Sequence, residues 1–342
     1  MPQIKKKKVA FEVDKGLRRY LKAYGREMSL PILYSDLLRY NESVTVYDKN
    51  GNDTLWISLL YAQHDLDHIN EALKKIYAIL RANGDMSVMQ HLYVNRIDLC
   101  LYGNSNPFRV RIVNKINDNF DYFYVKNADA SRIYGLELEH LLSPNRISYV
   151  VDQGTLIEEH IAGIPGEEFM RNYLAEGRVE NEIRLAKEFV KFNERCFVRL
   201  LGDMHSSNYV IEIMPDFEDV HYRIRAIDFD QQSYEPRKSI YLPQYFKQNK
   251  PIIDLGIRSM TATTVRQYQK EERSMIASRI RYSSRQISDL MKFMVRSHLS
   301  LEPYVGQLAD ELADHYQDRR FTQCKTMGEV VKQSLAVLLE QN

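Results

Sequence analysis

Three side chains in the middle of the chain have the types and spacing that phosphoryl transfer requires. Asp203 follows an apolar run, Asn208 comes five residues later in a D-x-x-x-x-N pattern, and Asp228 lies in a second apolar run. Phosphoryl transfer needs a carboxylate that receives the proton of the attacking hydroxyl, and oxygen ligands that hold Mg²⁺ against the phosphates. The pattern predicts a catalytic loop between two short strands, with Asp203 as the base and Asn208 and Asp228 as metal ligands. Asp230 follows in an extended segment, so it would face the same way as Asp228 and add a carboxylate near the metal.

The residues around these positions resemble a known family. Gly-Asp-Met-His-Ser-Ser-Asn-Tyr-Val-Ile over 202–211, with Ala-Ile-Asp-Phe-Asp over 226–230, is similar to the paired motifs of the aminoglycoside phosphotransferase and choline kinase branch of the protein-kinase-like superfamily. The family usually reads H-G-D-x-H-x-x-N, so nearly every polar position matches, and Leu201 stands where the family usually has His. The resemblance implies a protein-kinase-like fold, ATP and Mg²⁺ as cofactors, and transfer of the γ-phosphate to a hydroxyl of a small molecule.

Two other interpretations fit parts of this motif. Asp203 and His205, in D-x-H spacing, also match the first metal-binding motif of calcineurin-like metallophosphatases, in which a His and an Asp share a metal. The later G-D-x-x-D, G-N-H-[DE] and G-H-x-H blocks of those enzymes do not occur. Asp203 and Asn208 could also simply cap a turn, as Asp and Asn often do. A turn does not require Asp228 as well, which favours phosphoryl transfer.

The segment before the motif has the order expected of a kinase-like small lobe. Patterns of apolar and aromatic residues predict strands over 97–102, 108–113 and 121–126. A kinase-like lobe joins two such strands by a loop that covers the phosphates, and Gly103 could bring backbone amides near a phosphate there. A plain hairpin turn would carry the same glycine, so both interpretations stay open.

Lys126 ends the third of these strands, just before a predicted helix over 130–142. A kinase needs such a lysine to neutralise phosphate charge, and a helix carboxylate to hold it in place. Glu137 is the preferred partner, because apolar residues one turn to either side put it on an apolar face, and Glu139 is the alternative. An exposed lysine and an ordinary helix glutamate would give the same sequence.

Residues 149–163 predict two strands with a turn between them, ending in a glycine. The stretch resembles the family's apolar-E-[YH]-[IV]-x-G hinge, where the edge of adenine meets backbone groups. The resemblance implies that Glu159 offers its carbonyl and Ile161 its amide to the nucleotide. Backbone contacts of this kind constrain the side chains little.

The elements around these motifs predict an α+β fold of the kinase-like, two-lobed type. Residues 1–90 form an N-terminal accessory region of helices plus a hairpin over 43–60, 91–160 form the small lobe, and 161–342 form the large helical lobe. Asn50-Gly51 marks the hairpin turn, since Asn-Gly readily adopts positive φ. Amphipathic helices are predicted over 66–82, 179–193, 252–255, 265–282, 287–299, 305–316 and 327–339.

Charge and cysteine content exclude several other classes of protein. A net charge of +1 provides no field for nucleic acid or an acidic membrane, and the Lys5–Lys8 run is expected to be a solvated arm. Cys100, Cys196 and Cys324 are scattered without C-x-x-C spacing, so neither a disulfide framework nor a zinc site is predicted. No long apolar segment or signal-peptide pattern occurs, so we expect a cytoplasmic protein.

Three functional classes remain compatible with the sequence. The first is an ATP- and Mg²⁺-dependent kinase that phosphorylates a hydroxyl of a small molecule, and the second is a kinase that acts on a protein. The third is a catalytically weak pseudokinase that serves as a nucleotide-binding scaffold, for which Leu201 and the single Gly103 argue. Acceptor specificity resides in variable loops rather than in the phosphate machinery, so the motifs do not identify the acceptor.

Overall fold

The structure is a computed structural model that describes residues 8–82, 84–217 and 219–342. Lys5 to Lys7 of the predicted N-terminal arm lie outside the described residues. The expectation of a solvated side chain is wrong for Lys8, whose side chain is 3% exposed and whose Nζ is 3.4 Å from Asp129 Oδ2. The chain divides into two compact units. The sheet unit comprises Met1–Asp129 and Ile147–His160, and the helical unit comprises Ala130–Arg146 and Ile161–Asn342. The fold class is α+β, as predicted.

The sheet unit is built on one seven-stranded antiparallel sheet with the order β1-β2-β3-β4-β5-β7-β6. Its strands are β1 (Glu42–Tyr47), β2 (Asp53–Leu60), β3 (Leu92–Cys100), β4 (Phe108–Asn114), β5 (Phe120–Asn127), β6 (Tyr149–Asp152) and β7 (Thr155–Glu159). Its helices are α1 (Lys15–Ala23), α2 (Tyr34–Leu37) and α3 (Gln63–Arg81). The hairpin, the three strands before the motif and the helix that the sequence predicts in this region are confirmed.

The two faces of this sheet differ because side chains alternate along each strand. Phe108, Phe123 and Val125 point to one face, where they form an apolar core with α3. The alternate residues of β4 and β5 are polar or aromatic and include Arg109, which pairs with Tyr124 across the strands. The second face can therefore present charged groups, and it is the face that carries Lys126.

The first two strands belong to the same sheet as the strands assigned to the small lobe. Trp56 of β2 pairs with Cys100 of β3, so the sheet is continuous across residue 90, where the sequence places a boundary. The helix over 130–142, which the sequence assigns to the small lobe, groups with the helical unit.

The helical unit contains eight α-helices among its described residues, several short 3-10 or π turns, and a small antiparallel sheet with the order β10-β9-β8. The helices are α4 (Ala130–Leu142), α5 (Gly166–Phe169), α6 (Glu182–Arg199), α7 (Lys250–Ser259), α8 (Ala262–Tyr282), α9 (Ser284–Met294), α10 (Glu302–Tyr316) and α11 (Met327–Glu340). The strands are β8 (Ile164–Pro165), β9 (Tyr209–Pro215) and β10 (Val220–Ala226). No helix in the described part of the chain is long and apolar enough to cross a membrane.

Helix α6 packs against α7, α8, α11 and β10 and leads directly into the motif. Asn181 caps its start, because the side-chain oxygen accepts a hydrogen bond from the backbone N–H of Arg184 at 3.0 Å. The predicted helix over 179–193 therefore begins slightly later and continues to Arg199. The expectation of a strand directly before Asp203 is wrong, because the apolar run there is the buried end of this helix, and a short apolar run does not distinguish the two.

Candidate active site

The loop that carries the motif begins where α6 ends. Leu200 has φ of +56°, a left-handed conformation that stops the helix. Leu201 forms a β-bridge with Gln232, and the N–H of Gly202 donates to the carbonyl of Gln231 at 3.1 Å. The loop is thus fixed against the segment that follows Asp230. Leu201, at the position where the resembled motif has His, is fully buried and fills this contact with an apolar side chain.

Asp203 lies at the tip of the loop, and its backbone is fixed on both sides. Its φ is +62°, its N–H donates to the carbonyl of Ile240 at 3.0 Å, and its own carbonyl accepts from the N–H of His205 at 2.9 Å. The amide Nδ2 of Asn208 donates to the same carbonyl at 2.8 Å. Asp and Asn tolerate left-handed φ better than most residues, so the type of residue 203 suits this turn. The Asn208 contact also leaves the Oδ1 atom as the side-chain oxygen that could bind a cation.

The electrostatic environment of Asp203 places its titration near neutral pH. Burial in the loop, the negative charge of Asp228 and the negative charge of Glu235 raise the pKa of Asp203 to about 7. Burial lowers the pKa of the neighbouring His205, whose Nε2 is 3.9 Å from the Asp203 carboxylate. The Asp203 side chain is 40% exposed, so solvent reaches it. A base with a pKa near the working pH transfers protons efficiently.

Asp228 and Asp230 follow β10 and share one cation, Arg132 of α4. The Nη1 atom of Arg132 is 2.9 Å from Asp228 Oδ1 and 2.7 Å from Asp230 Oδ1. The N–H of Asp230 also donates to Asp228 Oδ1 at 3.0 Å. The Arg132 side chain is 2% exposed and that of Asp228 is 35% exposed. Arg132 thus contacts the two carboxylates from the protein interior, and the Asp228 side chain stays accessible to solvent.

Helix α4 lies close enough to this segment to deliver Arg132 because of the residues around it. A Cβ atom on Gly135 would lie 3.1 Å from the Cβ of Phe229 and 3.2 Å from the Cβ of Gln232, so glycine permits the approach. Ser131 Oγ donates to the carbonyl of Gln232 at 2.8 Å. The first two turns of α4 therefore fix the conformation of the Asp-Phe-Asp segment.

The fit of a magnesium ion can be assessed from these side chains. Within residues 8–82, 84–217 and 219–342, no three His, Cys, Asp or Glu side chains form a group that could hold a metal. Mg²⁺ usually keeps several waters and is bound by one or two carboxylates together with substrate phosphates, so a preformed protein cage is not required. Asp228 and the Oδ1 atom of Asn208 fit such a nucleotide-borne ion. Asp230 is the least exposed of the predicted ligands and is held by Arg132.

The nucleotide-binding residues predicted in the sheet unit have well-defined contacts of their own. Lys126 ends β5, and its Nζ donates to Glu158 Oε2 of β7 at 2.9 Å, with both side chains less than 10% exposed. The lysine is therefore buried in an ion pair and is not an exposed strand end. The predicted partners Glu137 and Glu139 lie in the other unit, so their pairing with Lys126 stays a prediction.

The two glutamates of α4 make contacts within the helical unit. Glu137 Oε2 accepts from Gln286 Nε2 at 3.4 Å. Glu139 forms a buried ion pair with Arg199, and its Oε1 atom accepts from Ser143 Oγ at 2.6 Å. Glu139 therefore joins α4 to the last residue of α6.

The remaining predicted contacts involve the loop after β3 and the end of β7. Gly103 lies in a tight turn, in which its carbonyl accepts from the N–H of Asn106 at 3.3 Å. The Glu159 side chain accepts from the N–H of Ser148 at 2.8 Å, and Ile161 is buried. The proposed backbone contacts of Gly103, Glu159 and Ile161 with a nucleotide stay predictions.

The sequence did not identify Arg132, Glu158 or Glu235. Arg132 contacts Asp228 and Asp230, Glu158 pairs with Lys126, and Glu235 raises the pKa of Asp203. Glu158 had a detectable signal, because alternation along β7 puts it on the face opposite Ile157, which belongs to the core with α3. Arg132 and Glu235 had none, since neither is close in sequence to a motif residue that it approaches in space.

Comparisons with known proteins give little beyond this geometry. No protein-family model matches the chain, and no curated protein matches it. The autoinhibited serine kinase domain of the giant muscle protein titin is similar at 12% identity, over 74% of this chain and 81% of that chain, with a TM-score of 0.28. A structure of titin kinase and its flanking domains is similar at 12% identity, over 72% of this chain and 54% of that chain, with a TM-score of 0.27. A structure of the Rad53 kinase domain and SCD2 is similar at 12% identity, over 49% of this chain and 76% of that chain, with a TM-score of 0.20. At these TM-scores the likeness supports no inference about activity.

Proposed function

We propose that this chain is a kinase-like phosphotransferase, which transfers the γ-phosphate of ATP to a hydroxyl group of a small molecule. The observation that carries the proposal is the environment of Asp203. Its carboxylate is accessible, has a pKa raised to about 7, and is influenced by Asp228, the candidate metal ligand of the second motif. A general base next to a metal-binding carboxylate is the minimum that phosphoryl transfer requires.

The proposed reaction uses few protein groups. Asp203 orients the acceptor hydroxyl and takes its proton, the acceptor oxygen forms a bond to the γ-phosphorus, and the bond from that phosphorus to the β–γ bridging oxygen breaks to release ADP. Mg²⁺ would supply positive charge to the phosphate oxygens, with Asp228 and Asn208 as the residues that hold it. The protonated Asp203 then returns its proton to solvent.

The nucleotide contacts are proposed for residues outside the two motifs. Lys126 would neutralise phosphate charge, with Glu158 as an additional carboxylate that orients it. Gly103, Glu159 and Ile161 would offer backbone groups. We also propose a cytoplasmic location. We propose no nucleic-acid or membrane partner, because the net charge is near zero.

A nucleotide-binding scaffold with little catalysis is the second candidate. Arg132 favours it, because its guanidinium already holds both Asp228 and Asp230. If those carboxylates bind Mg²⁺ poorly, ATP could bind without being turned over. The two candidates differ in turnover and agree on nucleotide binding.

The deciding experiment measures ATP binding and ATP consumption in the same preparations. The purified chain is incubated with Mg-ATP and a panel of alcohols, sugars, aminoglycosides and a mixed protein substrate, and ADP release is followed. Asp203→Asn should spare nucleotide affinity and lower turnover by about 10²–10⁴-fold, which is the usual loss for a positioned base. The matched control is Asp216→Asn, at an exposed aspartate just after β9.

Each outcome of this experiment assigns a candidate. Acceptor-dependent turnover that falls only in Asp203→Asn supports the phosphotransferase, and stimulation by the protein mixture alone identifies a protein acceptor. Nucleotide binding with no turnover above the Asp203→Asn background supports the scaffold. The absence of any nucleotide binding contradicts both.

A further inference from the structure

Tyr34, the first residue of α2, connects the N-terminal region with the loop that carries Gly103. The Tyr34 hydroxyl donates to the carbonyl of Asn106 at 2.9 Å, across 72 residues of sequence. Asn106 closes the tight turn of this loop, because its N–H donates to the carbonyl of Gly103. The hydroxyl of Tyr34 therefore acts on the backbone of the loop over 101–107.

The side chain of Tyr34 is held in place by its own backbone and by its ring. The N–H of Tyr34 donates to Thr155 Oγ1 of β7 at 2.9 Å. Its ring lies edge-on to that of Phe108, with 5.0 Å between the ring centroids, and both rings belong to the apolar core of the sheet unit. A side chain whose rotamer is fixed by packing presents its polar group in one position. The hydroxyl is thus a rigid support for the loop.

The segment that leads to Tyr34 is bound along β6, which is an edge strand of the seven-stranded sheet. The N–H of Val151 donates to the carbonyl of Arg26 at 2.8 Å, and the N–H of Met28 donates to the carbonyl of Val151 at 3.2 Å. The N-terminal region is therefore anchored at one edge of the sheet, and it reaches the loop between β3 and β4 through Tyr34.

The loop that Tyr34 holds lies next to Lys126. Phe108 pairs with Val125 across β4 and β5, which places the end of the loop beside Lys126, the next residue of β5. Burial raises the pKa of the Tyr34 phenol, and a hydrogen bond with the side chain of Asn127 acts in the opposite direction. The hydroxyl thus lies between the loop and the end of the strand that carries Lys126. These are the two parts of the sheet unit that are proposed to contact phosphate.

We propose that Tyr34 is a positioning residue for phosphate binding, which holds the loop over 101–107 in the conformation that receives the phosphates of the nucleotide. This inference rests on the proposed function, and in particular on Gly103 as part of a phosphate-binding loop. A loop that is already held in its binding conformation loses less freedom when the ligand binds. The N-terminal region would therefore set the affinity for phosphate without contacting it.

The test compares Tyr34→Phe with the wild type in the full chain. This variant keeps the ring beside Phe108 and removes only the hydroxyl. Affinities for a non-hydrolysable ATP analogue and for adenosine are measured by competition against a fluorescent nucleotide. We expect the affinity for the ATP analogue to fall by about 3–10-fold, which is the usual effect of one hydrogen bond. The affinity for adenosine, which has no phosphate, should stay unchanged.

Tyr61→Phe is the matched control. Tyr61 lies in the same unit, and its hydroxyl also donates to a backbone carbonyl, that of Leu37 at 2.7 Å, away from the loop. This substitution should leave both affinities unchanged. If Tyr34→Phe fails to fold, Thr155→Val replaces it, because it removes the oxygen that accepts from the N–H of Tyr34, and it should lower the affinity for the ATP analogue alone.

Hydrogen exchange followed by mass spectrometry reports on the loop itself. Local opening of a loop controls how fast its amides exchange. The amides of residues 101–107 should exchange about 3–10-fold faster in Tyr34→Phe, because one hydrogen bond that closes the loop is lost, and at the wild-type rate in Tyr61→Phe. Unchanged exchange in the loop of Tyr34→Phe, or faster exchange throughout the sheet unit, would overturn the proposal.

Failure of this proposal is distinguishable from failure of the proposed function. No binding of the ATP analogue by the wild type contradicts the nucleotide site, and with it this inference. Wild-type binding that Tyr34→Phe leaves unchanged, or that falls equally for the ATP analogue and for adenosine, contradicts only the role of Tyr34.

Discussion

Replacing Asp203 by Asn should make the protein more stable at and above neutral pH, although it removes the proposed base. The pKa of Asp203 is raised from its ordinary value of 3.8 to about 7, so the folded state favours the protonated carboxyl. At about 1.4 kcal/mol per pKa unit, this difference would be worth about 4 kcal/mol for a fully buried group. The side chain is 40% exposed and water screens its charge, so we expect about 1–2 kcal/mol. Asn suits the positive φ of residue 203 and adds no strain.

The pH dependence gives the sign of the effect. The stability that Asp203 gains from its raised pKa is present while the carboxyl is protonated and is lost as the pH rises through about 7. Asn resembles the protonated form and does not titrate. Wild type and Asp203→Asn should therefore be nearly equal near pH 4 and diverge between about pH 4 and pH 7, with the variant more stable above that range.

Urea unfolding at several pH values, followed by circular dichroism, measures this difference. Asp228→Asn removes one of the negative charges that raise the pKa of Asp203, so the pH at which wild type loses stability should move down in that background. Asp216→Asn, at an exposed site, should change the free energy of unfolding by less than about 0.5 kcal/mol at every pH. If Asp203→Asn is no more stable than wild type at pH 8, the carboxylate is not desolvated as the structure indicates.

Three other perturbations test separate parts of the structure. Mg-ATP should raise the melting temperature, and Asp228→Ala should remove the Mg²⁺-dependent part of the rise, whereas an unchanged melting curve at millimolar Mg-ATP would count against a nucleotide site. Lys126→Met removes one member of the buried pair with Glu158 and should cost about 3–5 kcal/mol in urea unfolding, with a cost below about 1 kcal/mol contradicting a buried pair. Gly135→Leu should destabilise by about 1–3 kcal/mol by overpacking the Asp-Phe-Asp segment, and Gly306→Leu, which points into open space in α10, should not.

Much of the fold could be predicted because its signals are local. The Asn50-Gly51 turn with its flanking β-branched residues predicts the β1–β2 hairpin, and helical periodicity predicts α3 and most helices after residue 250. Element ends were less predictable, since α9 stops at Met294 while the apolar pattern continues to 299. The hydrophobic pattern of the sequence shows which residues can be buried, whereas tertiary contacts decide at which residue the helix ends.

The site was predictable to the extent that it is local in sequence. Asp203 and Asn208 share one loop, and Asp228 follows the strand that pairs with the strand after that loop, so a motif with the right spacing brings them together. Arg132 approaches Asp228 across 96 residues of sequence, and an arginine in a helix is usually solvated. Lys126 similarly pairs with Glu158 because β5 and β7 are neighbours in the sheet, which only the strand order reveals.

Helix α4 links the two halves of the motif within the helical unit. Near its start, Arg132 holds Asp228 and Asp230, and near its end, Glu139 forms a buried ion pair with Arg199, the last residue of α6. Leu200 then ends α6 and begins the loop of Asp203, so one helix is fixed to the segment that precedes Asp203 and to the segment that carries Asp228 and Asp230. A shift of α4 would therefore disturb the contacts of Arg132 and the ion pair of Glu139 together. Such a shift is costly, because a buried charge that loses its partner is strongly destabilising. The position of Asp203 relative to Asp228 is therefore set by this helix as well as by the motif residues.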